Sequence, residues 1–413
     1  MPARSIVVAL LLVLCPIACS ARNPEPLPKL TKEQWHKDLA VFARELPKRH
    51  ANAFHAVAHE QFDAAVKELD AGIDTASDDA IVAGLVRLAA LVGDAHTSVH
   101  LPPNWHRLAL QIQPFGDEWR VTRATAATKA LLGGKVTAIG GVAISDVVRR
   151  LAPLAPQDEL APMQRAVITA NMHVPELLHA TGVIKSAAEA EVSVVGDDGA
   201  VATALVSAIP LDAQTQQAWI PLSNETPLSR RQPDDAFVVQ LLADQKTVYV
   251  NWRRYDKLAD NAGKLWQLVD SSGVKRVIID LRQNGGGDYK LGRRYMVSEL
   301  SRRTGNVESI ILIGARTFSA AMNNAIDFRN DAHSLLAGGT IGERPNSYQE
   351  NDEVTLPASR LVVSYSTRFY KFVPDGAPNV VEPDQRLEQT WSDALAGRDS
   401  ILEWALARSD GKK

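Results

Sequence analysis

From residue 236 onward the sequence alternates between short apolar runs and longer segments with the apolar spacing of helices. The strand-like runs are "KTVYVNW", "KRVIIDLR", "SIILIG" and "LLAGGTIGE", and "RLVVSYSTRFYKFV" adds one or two late strands. The helical segments are "KLADNAGKLWQLVDSSG", "YKLGRRYMVSELSRR", "AAMNNAIDFRND" and "GRDSILEWALARS". This alternation favours a sheet covered by helices. The sequence therefore predicts an α/β domain over residues 236–413.

The chain before residue 236 shows other patterns. Residues 29–104 have helical spacing, as in "EQWHKDLAVFARELPKRH", and predict an N-terminal helical region that is not stable alone. Residues 105–211 contain several short strand-like segments around one helix, "ISDVVRRLAPL", and predict a compact module with one or two helices. Residues 212–235, rich in Gln, Pro, Ser and Asn, predict a linker or mobile loop. The expected fold class is therefore α/β, of the α+β multidomain type.

The N-terminus predicts export. "MPARSIVVALLLVLCPIACSARNPEP" has a basic residue, Arg4, then a short apolar run and small residues up to Ala21, as a secretory signal does over residues 1–21. Both cysteines, Cys15 and Cys19, lie within it, so cleavage after Ala21 would leave a chain without disulfides. "PIAC" also resembles a bacterial lipobox, in which Cys19 would carry a lipid and attach the protein to a membrane. Soluble export and lipid attachment both remain open, and either places the protein in the periplasm, cell envelope or outside.

Charge and metal-ligand patterns exclude two classes of function. The chain has 45 Lys and Arg against 48 Asp and Glu, a formal net charge of -3, so no cationic excess is available to bind the phosphates of a nucleic acid. Neither an HExxH motif nor a Cys/His cluster is present, which argues against a zinc site. We therefore expect no metal, no cofactor and no nucleic-acid partner.

The stretch "VIIDLRQNGGGD" joins a buried strand to three consecutive glycines, Gly285 to Gly287. Glycines at the end of a strand allow backbone N–H groups to approach a ligand closely, and such groups can stabilise a developing oxyanion. A tight turn with no chemical role explains the same glycines. A phosphate-binding loop is disfavoured because "GGGDYK" lacks the GxxxxGK[ST] spacing.

Two further stretches hold candidate reactive side chains. In "IGARTFSAAMNNAIDF", Ser319 lies between an apolar strand and a helix, where free amides and the helix dipole would polarise its hydroxyl. A serine that only caps the helix fits the same position, and the GxSxG elbow of α/β-hydrolases is absent. In "LVGDAHTSVH", His96 follows a helix and could serve as a base, although nine other histidines exist.

Together these stretches resemble the S41 family of serine peptidases, which comprises C-terminal processing peptidases and tricorn-core relatives. The resemblance rests on "VIIDLRQNGGGD" followed by "IGARTFSAAMNNAIDF", and extends to "GDAHTSV", "IGERPN" and "VVEPDQ". "KVTAIGGVAISDVVRRL" is similar to the second half of a PDZ-like module, although no clear GLGF-type loop accompanies it. The resemblance implies a ClpP/crotonase-like catalytic domain in residues 236–413 and a PDZ-like module in residues 105–211.

The resemblance also implies site residues. Ser319 would be the nucleophile, and the backbone amides of Gly286 and Ala320 would form the oxyanion hole. Processing peptidases use a lysine base in a "GExTxGKG" stretch, but here the segment reads "GERPNSYQE" and no lysine occurs between Ser319 and Lys371. The tricorn-like branch uses a histidine supported by an acidic residue, which makes His96 the expected base.

The carboxylate that supports the base remains open between Asp375 and Glu343, and Glu343 could equally bind backbone amides near the site. Arg344 cannot act as the base, because a guanidinium stays protonated. Asp94 is expected to fix the loop that carries His96.

The sequence thus predicts an exported serine endopeptidase that acts on peptide or protein substrates. A non-catalytic protein on the same fold, which binds a peptide or a hydrophobic ligand, is the alternative that the missing lysine keeps open. Acyl-CoA chemistry on a crotonase-like fold is a third, which the secretory signal disfavours.

Overall fold

The computed structural model describes residues 25–211, 213 and 217–408. The predicted signal segment, with Cys15 and Cys19, lies outside the described residues. The α-helices are α1 (Lys32–Arg49), α2 (His59–Gly72), α3 (Asp78–Val92), α4 (Ile144–Leu151), α5 (Ala161–Asn171), α6 (Pro175–Ala180), α7 (Leu258–Ser271), α8 (Tyr289–Gly292), α9 (Ser298–Ser301), α10 (Ala320–Ala332), α11 (Trp391–Leu395) and α12 (Ser400–Ala407). A π-helical turn, Arg293–Val297, joins α8 to α9.

The strands form three sheets. They are β1 (Ser98–Val99), β2 (His106–Leu108), β3 (Gln111–Phe115), β4 (Glu118–Ala124), β5 (Lys135–Ile139), β6 (Val142–Ala143), β7 (Glu189–Val195), β8 (Val201–Pro210), β9 (Ile220–Pro221), β10 (Phe237–Leu241), β11 (Thr247–Trp252), β12 (Arg276–Asp280), β13 (Glu308–Ile313), β14 (Leu335–Gly338), β15 (Ser347–Thr355), β16 (Val362–Tyr370) and β17 (Gln385–Arg386).

The six-stranded sheet has the order β10-β11-β12-β13-β14-β17. β11 to β14 and β17 pair in parallel, and β10 pairs antiparallel with β11. One face packs against α7 and α10, and the other against α12. Because both faces are covered, β11 and β12 are buried at every position, which explains their unbroken apolar runs. The expected α/β character of this part of the chain is confirmed.

Residues 105–211 form a mostly antiparallel sheet of order β2-β8-β7-β5-β4-β3. Three α-helices, α4 to α6, accompany it, where one or two were expected. The additional helices have little polar–apolar contrast in sequence, because α5 and α6 are buried over much of their surface. The segment 212–235, expected to be a linker, contains β9, which pairs with β4.

The third sheet links distant parts of the chain. β1, at the end of the N-terminal region, pairs with β16, and β16 pairs with β15. The apolar core of α1 to α3 is continuous with that of the 105–211 module and with residues of β16, such as Val363 and Tyr365. This packing holds the loop between α3 and β1 against the C-terminal part of the chain.

The stretch "RLVVSYSTRFYKFV", expected to give one or two strands, contains one, β16, whereas its partner β15 was not predicted. The reason is that β15, "SYQENDEVT", is largely polar and lies at the edge of its sheet, so it lacks an apolar alternation. Among the described residues, no helix has the length and apolar character needed to span a bilayer.

Candidate active site

Ser319 lies where the loop after β13 enters α10. It is the N-cap residue of the helix, with φ 54° and ψ −125°, a strained conformation for a residue with a side chain. Its side chain makes no capping hydrogen bond to α10, so the purely capping role is not observed. Strained turns between a strand and a helix hold nucleophilic hydroxyls in other folds. Ser319 likewise lies in a strained turn between β13 and α10.

The glycine-rich loop after β12 runs beside this turn. The Phe318 N–H donates to the carbonyl oxygen of Asn284 at 3.0 Å, and the Thr317 hydroxyl donates to the carbonyl oxygen of Leu281 at 2.9 Å. Both loops leave the carboxyl ends of neighbouring parallel strands, which meet at one edge of a sheet. The sheet topology therefore brings the glycines to Ser319.

Gly286 approaches Ser319 more closely than any side-chain-bearing residue could. It has φ +105°, and a Cβ atom placed on it would lie 2.9 Å from Ser319 Cβ and 3.2 Å from the Ala320 nitrogen. The Gly286 N–H donates to Asn284 Oδ1 at 2.9 Å. The Ala320 N–H, at the first turn of α10, has no hydrogen-bond partner within the described part of the chain. The two expected oxyanion donors are thus adjacent.

His96 and Glu343 meet beside Ser319. His96 Nε2 lies 3.3 Å from Glu343 Oε1, and both side chains are almost fully buried. The other carboxylate oxygen, Oε2, accepts the Ser319 backbone N–H. The His96 ring stacks on Phe318, with ring centroids 4.5 Å apart. Among the described residues no hydrogen bond joins the Ser319 hydroxyl to His96, so Glu343 is the group that connects the two.

Asp94 fixes the loop that carries His96. Its carboxylate accepts hydrogen bonds from His50 Nε2 at 2.9 Å, from the Thr97 hydroxyl at 3.0 Å and from the Ser366 hydroxyl at 2.6 Å. Burial alone would raise the pKa of Asp94, but the hydrogen bonds from His50 and Ser366 outweigh it and lower the pKa. The Asp94 carboxylate therefore ties α1 and β16 to this loop, in agreement with its expected role.

Asp375 is not part of this cluster. Its carboxylate pairs with Lys371 at 2.5 Å on a loop after β16, and its side chain is 90% exposed. Of the two carboxylates that the sequence left open, the structure places Glu343 next to His96 and leaves Asp375 at the surface. Lys371 is half-exposed in the same pair. Within residues 25–211, 213 and 217–408, no group of three or more His, Cys, Asp or Glu is arranged to hold a metal ion.

Two residues that contact this cluster were missed in the sequence. Phe318, next to Ser319, supports the His96 ring, and Glu159 accepts backbone N–H groups from the loops of His96 and Glu343. Phe318 lies within the serine motif, so its position was a usable signal. Glu159 lies in "PQDELAPM", a polar turn before a helix that carries no pattern of its own.

We expect Gly286→Ala to lower kcat by roughly 10²–10³, the usual cost of losing an oxyanion donor, because the added methyl would displace the loop from Ser319. Steady-state hydrolysis of a protein substrate measures this. Gly273→Ala is the matched control, because Gly273 has φ +65° and open space around it, so it carries the same backbone strain away from the site. An equal loss of kcat in Gly286→Ala and Gly273→Ala would show that backbone strain at a positive φ, and not the loss of the oxyanion donor, is responsible.

Comparisons with known proteins support a shared fold. No protein-family model matches the sequence, and no curated protein matches it. Among solved structures, mature CPAF aligns with a TM-score of 0.59 at 12% identity, over 89% of this chain and 95% of CPAF. A complex of mature CPAF with lactacystin aligns equally, over 89% of this chain and 96% of the other. At such identity the likeness establishes the fold that this chain shares with CPAF.

Two proteases align with lower scores. The photosystem II D1 C-terminal processing protease has a TM-score of 0.41 at 13% identity, over 87% of this chain and 94% of that chain. The tricorn protease has a TM-score of 0.41 at 12% identity, over 91% of this chain and 36% of that chain. The solved structures that align with this chain thus include proteases, and the shared fold itself rests on the alignment with mature CPAF.

Proposed function

We propose that the chain is an exported serine endopeptidase that hydrolyses peptide bonds through an acyl-enzyme. The observation that carries this proposal is the convergence of Ser319, Gly286, His96 and Glu343 at one edge of the parallel sheet. These residues come from four separate segments of the chain. A strained serine, adjacent amides and a buried His–carboxylate pair are the parts that acyl transfer requires.

In the proposed reaction, His96 accepts the proton of the Ser319 hydroxyl as its oxygen attacks the carbonyl carbon of the substrate. Glu343 holds the imidazole and stabilises the positive charge that it gains. The Gly286 and Ala320 N–H groups stabilise the oxyanion, for which the Gly286 N–H exchanges Asn284 Oδ1 for the substrate oxygen. His96 then gives its proton to the leaving amine, and water hydrolyses the acyl-enzyme by the same steps.

The attack requires the Ser319 hydroxyl to rotate toward the imidazole. Catalytic hydrogen bonds are often long or absent without substrate and tighten in the complex. The Glu343 carboxylate already contacts both residues: one oxygen accepts the Ser319 backbone N–H, and the other faces the His96 ring. The proposed attack therefore needs the hydroxyl and the imidazole to come within hydrogen-bond distance when the substrate binds.

The remaining parts of the chain extend the proposal. We assign a ClpP/crotonase-like catalytic domain to residues 236–413 and a PDZ-like module to residues 105–211. The assignment is based on the six-stranded, mostly parallel sheet and on the antiparallel sheet with its helices. Export through residues 1–21, either as a soluble protein or with a lipid on Cys19, is proposed from the sequence alone.

A fluorophosphonate probe tests the proposed chemistry directly. We expect the folded wild-type protein to form one covalent adduct, which mass spectrometry of a digest places on Ser319. The urea-denatured protein is the control and should not react, because the reactivity depends on the folded site. A folded protein that neither reacts with the probe nor cleaves a protein substrate would contradict the proposal and favour a ligand-binding protein on the same fold.

A further inference from the structure

The loops that carry His96 and Glu343 do not contact each other through regular secondary structure. His96 follows α3, and Glu343 follows β14, more than two hundred residues later. Their side chains nevertheless face each other at 3.3 Å in a buried position. A distance of this kind between two loops requires a third segment that fixes both.

The segment 157–160, which precedes α5, supplies this connection through its backbone. Toward the His96 loop, the Gln157 N–H donates to the Ala90 carbonyl oxygen at 3.1 Å, and the Asp158 N–H donates to the Gly93 carbonyl oxygen at 3.1 Å. Toward the other loop, the Leu160 N–H donates to the Gly342 carbonyl oxygen at 3.2 Å. The segment thus bridges the two loops.

The side chain of Glu159 completes the bridge at the residues next to the catalytic pair. Glu159 Oε1 accepts the Ala95 N–H at 3.1 Å, and Oε2 accepts the Arg344 N–H at 3.1 Å. Ala95 immediately precedes His96, and Arg344 immediately follows Glu343. Glu159 is 5% exposed, so these two hydrogen bonds replace water as its partners.

We propose that Glu159 is a positioning residue, which sets the distance between His96 and Glu343 by holding one backbone N–H from each of their loops. This inference rests on the proposed function, in which that pair activates Ser319. It also gives the 105–211 module a part in the catalytic site, because Glu159 belongs to that module. A displacement of a catalytic group by about 1 Å is enough to lower a rate by roughly 10²-fold.

The electrostatics of the site agree with this role. Burial raises the pKa of the Glu159 carboxyl well above its usual range, and the nearby negative charge of Glu343 raises it further. The hydrogen bonds from the Ala95 and Arg344 N–H groups act in the opposite direction and lower the pKa, because both favour the ionised carboxylate whose oxygens accept them. Glu159 therefore acts through its two amide contacts, and Glu343 remains the carboxylate that faces the ring.

The test is the variant Glu159→Gln, which retains the size of the side chain. Glutamine has one carbonyl oxygen, so its NH₂ group would face one of the two backbone N–H donors and that hydrogen bond would be lost. We expect kcat to fall by roughly 10–100-fold, with KM within about twofold, because the substrate-binding surface is unchanged. Asp38→Asn is the matched control, because Asp38 is fully buried and its two carboxylate oxygens accept the N–H groups of Ala358 and Ser359.

A double variant separates positioning from a general loss of structure. If Glu159 acts through His96, then adding Glu159→Gln to His96→Ala lowers kcat no further. A variant that only weakened the fold would lower kcat by the same factor in the wild-type protein and in His96→Ala. The Asp38→Asn control would behave in this way if stability alone determined kcat. An equal loss in both backgrounds, or a kcat for Glu159→Gln within about twofold of wild type, would overturn the proposal.

Amide hydrogen exchange reports on the hydrogen bonds of the Ala95 and Arg344 N–H groups to Glu159 and does not require enzymatic activity. In Glu159→Gln, we expect faster exchange of the Ala95 or Arg344 amide, whereas Asp38→Asn leaves both unchanged. Unchanged exchange at both amides in Glu159→Gln overturns the inference whatever the activity. A wild-type protein that shows no hydrolysis and no probe labelling refutes the proposed function instead, and exchange then decides the bridging role alone.

Discussion

Replacing His96 with alanine is expected to lower kcat by on the order of 10⁴–10⁶, about as far as Ser319→Ala. In the proposed mechanism the two residues act as one unit, because the hydroxyl is a weak nucleophile until the imidazole removes its proton. KM should change little, since neither side chain is required to hold the substrate. The measurement is steady-state hydrolysis of a protein or peptide substrate, supported by a burst experiment that detects the acyl-enzyme.

The double variant Ser319→Ala/His96→Ala should be no slower than either single variant, and the activity that remains would come from the oxyanion donors and substrate binding. His106→Ala is the matched control, because His106 also pairs with a glutamate, Glu176, at 2.7 Å but lies outside the site. It should stay within about twofold of wild type. A His96→Ala protein that kept a tenth of the wild-type kcat would show that another group takes the proton.

The second large effect concerns stability, and it comes from Arg282→Met. Arg282 follows β12 and binds two carboxylates: its Nε and one Nη bond Asp280 at 2.9 and 2.6 Å, and both Nη atoms bond Asp399 at 2.8 and 2.7 Å. All three side chains are largely buried. Removing the guanidinium leaves the buried carboxylates of Asp280 and Asp399 without the cation that pairs with them. We therefore expect a loss of about 3–5 kcal/mol in the free energy of unfolding.

The pH dependence of this loss has a definite sign. Burial alone would raise the pKa of Asp399, but the attraction and hydrogen bonds of Arg282 outweigh it and hold the pKa well below its usual range. A lowered pKa contributes stability above the unfolded value of about 4, and this contribution is lost as the pH falls through the folded value. The difference between wild type and Arg282→Met should therefore be largest near neutral pH and shrink below about pH 4.

Urea unfolding at several pH values measures both effects. Arg293→Met is the matched control, because Arg293 also binds two carboxylates, those of Asp327 and Asp331, but its side chain is 50% exposed. Exposed pairs contribute little, so this variant should lose no more than about 1 kcal/mol. Equal losses for the two arginines, or a difference for Arg282→Met that does not depend on pH, would contradict the explanation.

Much of the catalytic region was predictable because its signals are local. The buried strands β11, β12 and β13 were recognised from apolar runs, and α7 and α10 from helical spacing. Ser319 and the run Gly285 to Gly287 were singled out for the same reason, since a serine at a helix start and glycines at a strand end are features of adjacent residues. The roles expected for Ser319 and Gly286 came from the resemblance to S41 peptidases. Their proximity followed from the topology of parallel strands, which places both loops at one edge.

Other elements were missed because their patterns are weak. β15 is a polar edge strand whose pairing with β16 is the main evidence that it is a strand. α5 and α6 lack an exposed polar face to contrast with their apolar residues. In each case burial in the tertiary structure, and not local spacing, decided the outcome.

The sequence by itself determined the alternation of strands and helices after residue 236, the position of Ser319 between a strand and a helix, and the absence of a lysine between Ser319 and Lys371. Only the tertiary structure decided that Glu343, and not Asp375, faces His96, and that Glu159 bridges their loops. The physical reason is the range of the interactions. Strand and helix periodicity reflects neighbours along the chain, whereas a hydrogen bond between segments far apart in sequence depends on how those segments pack.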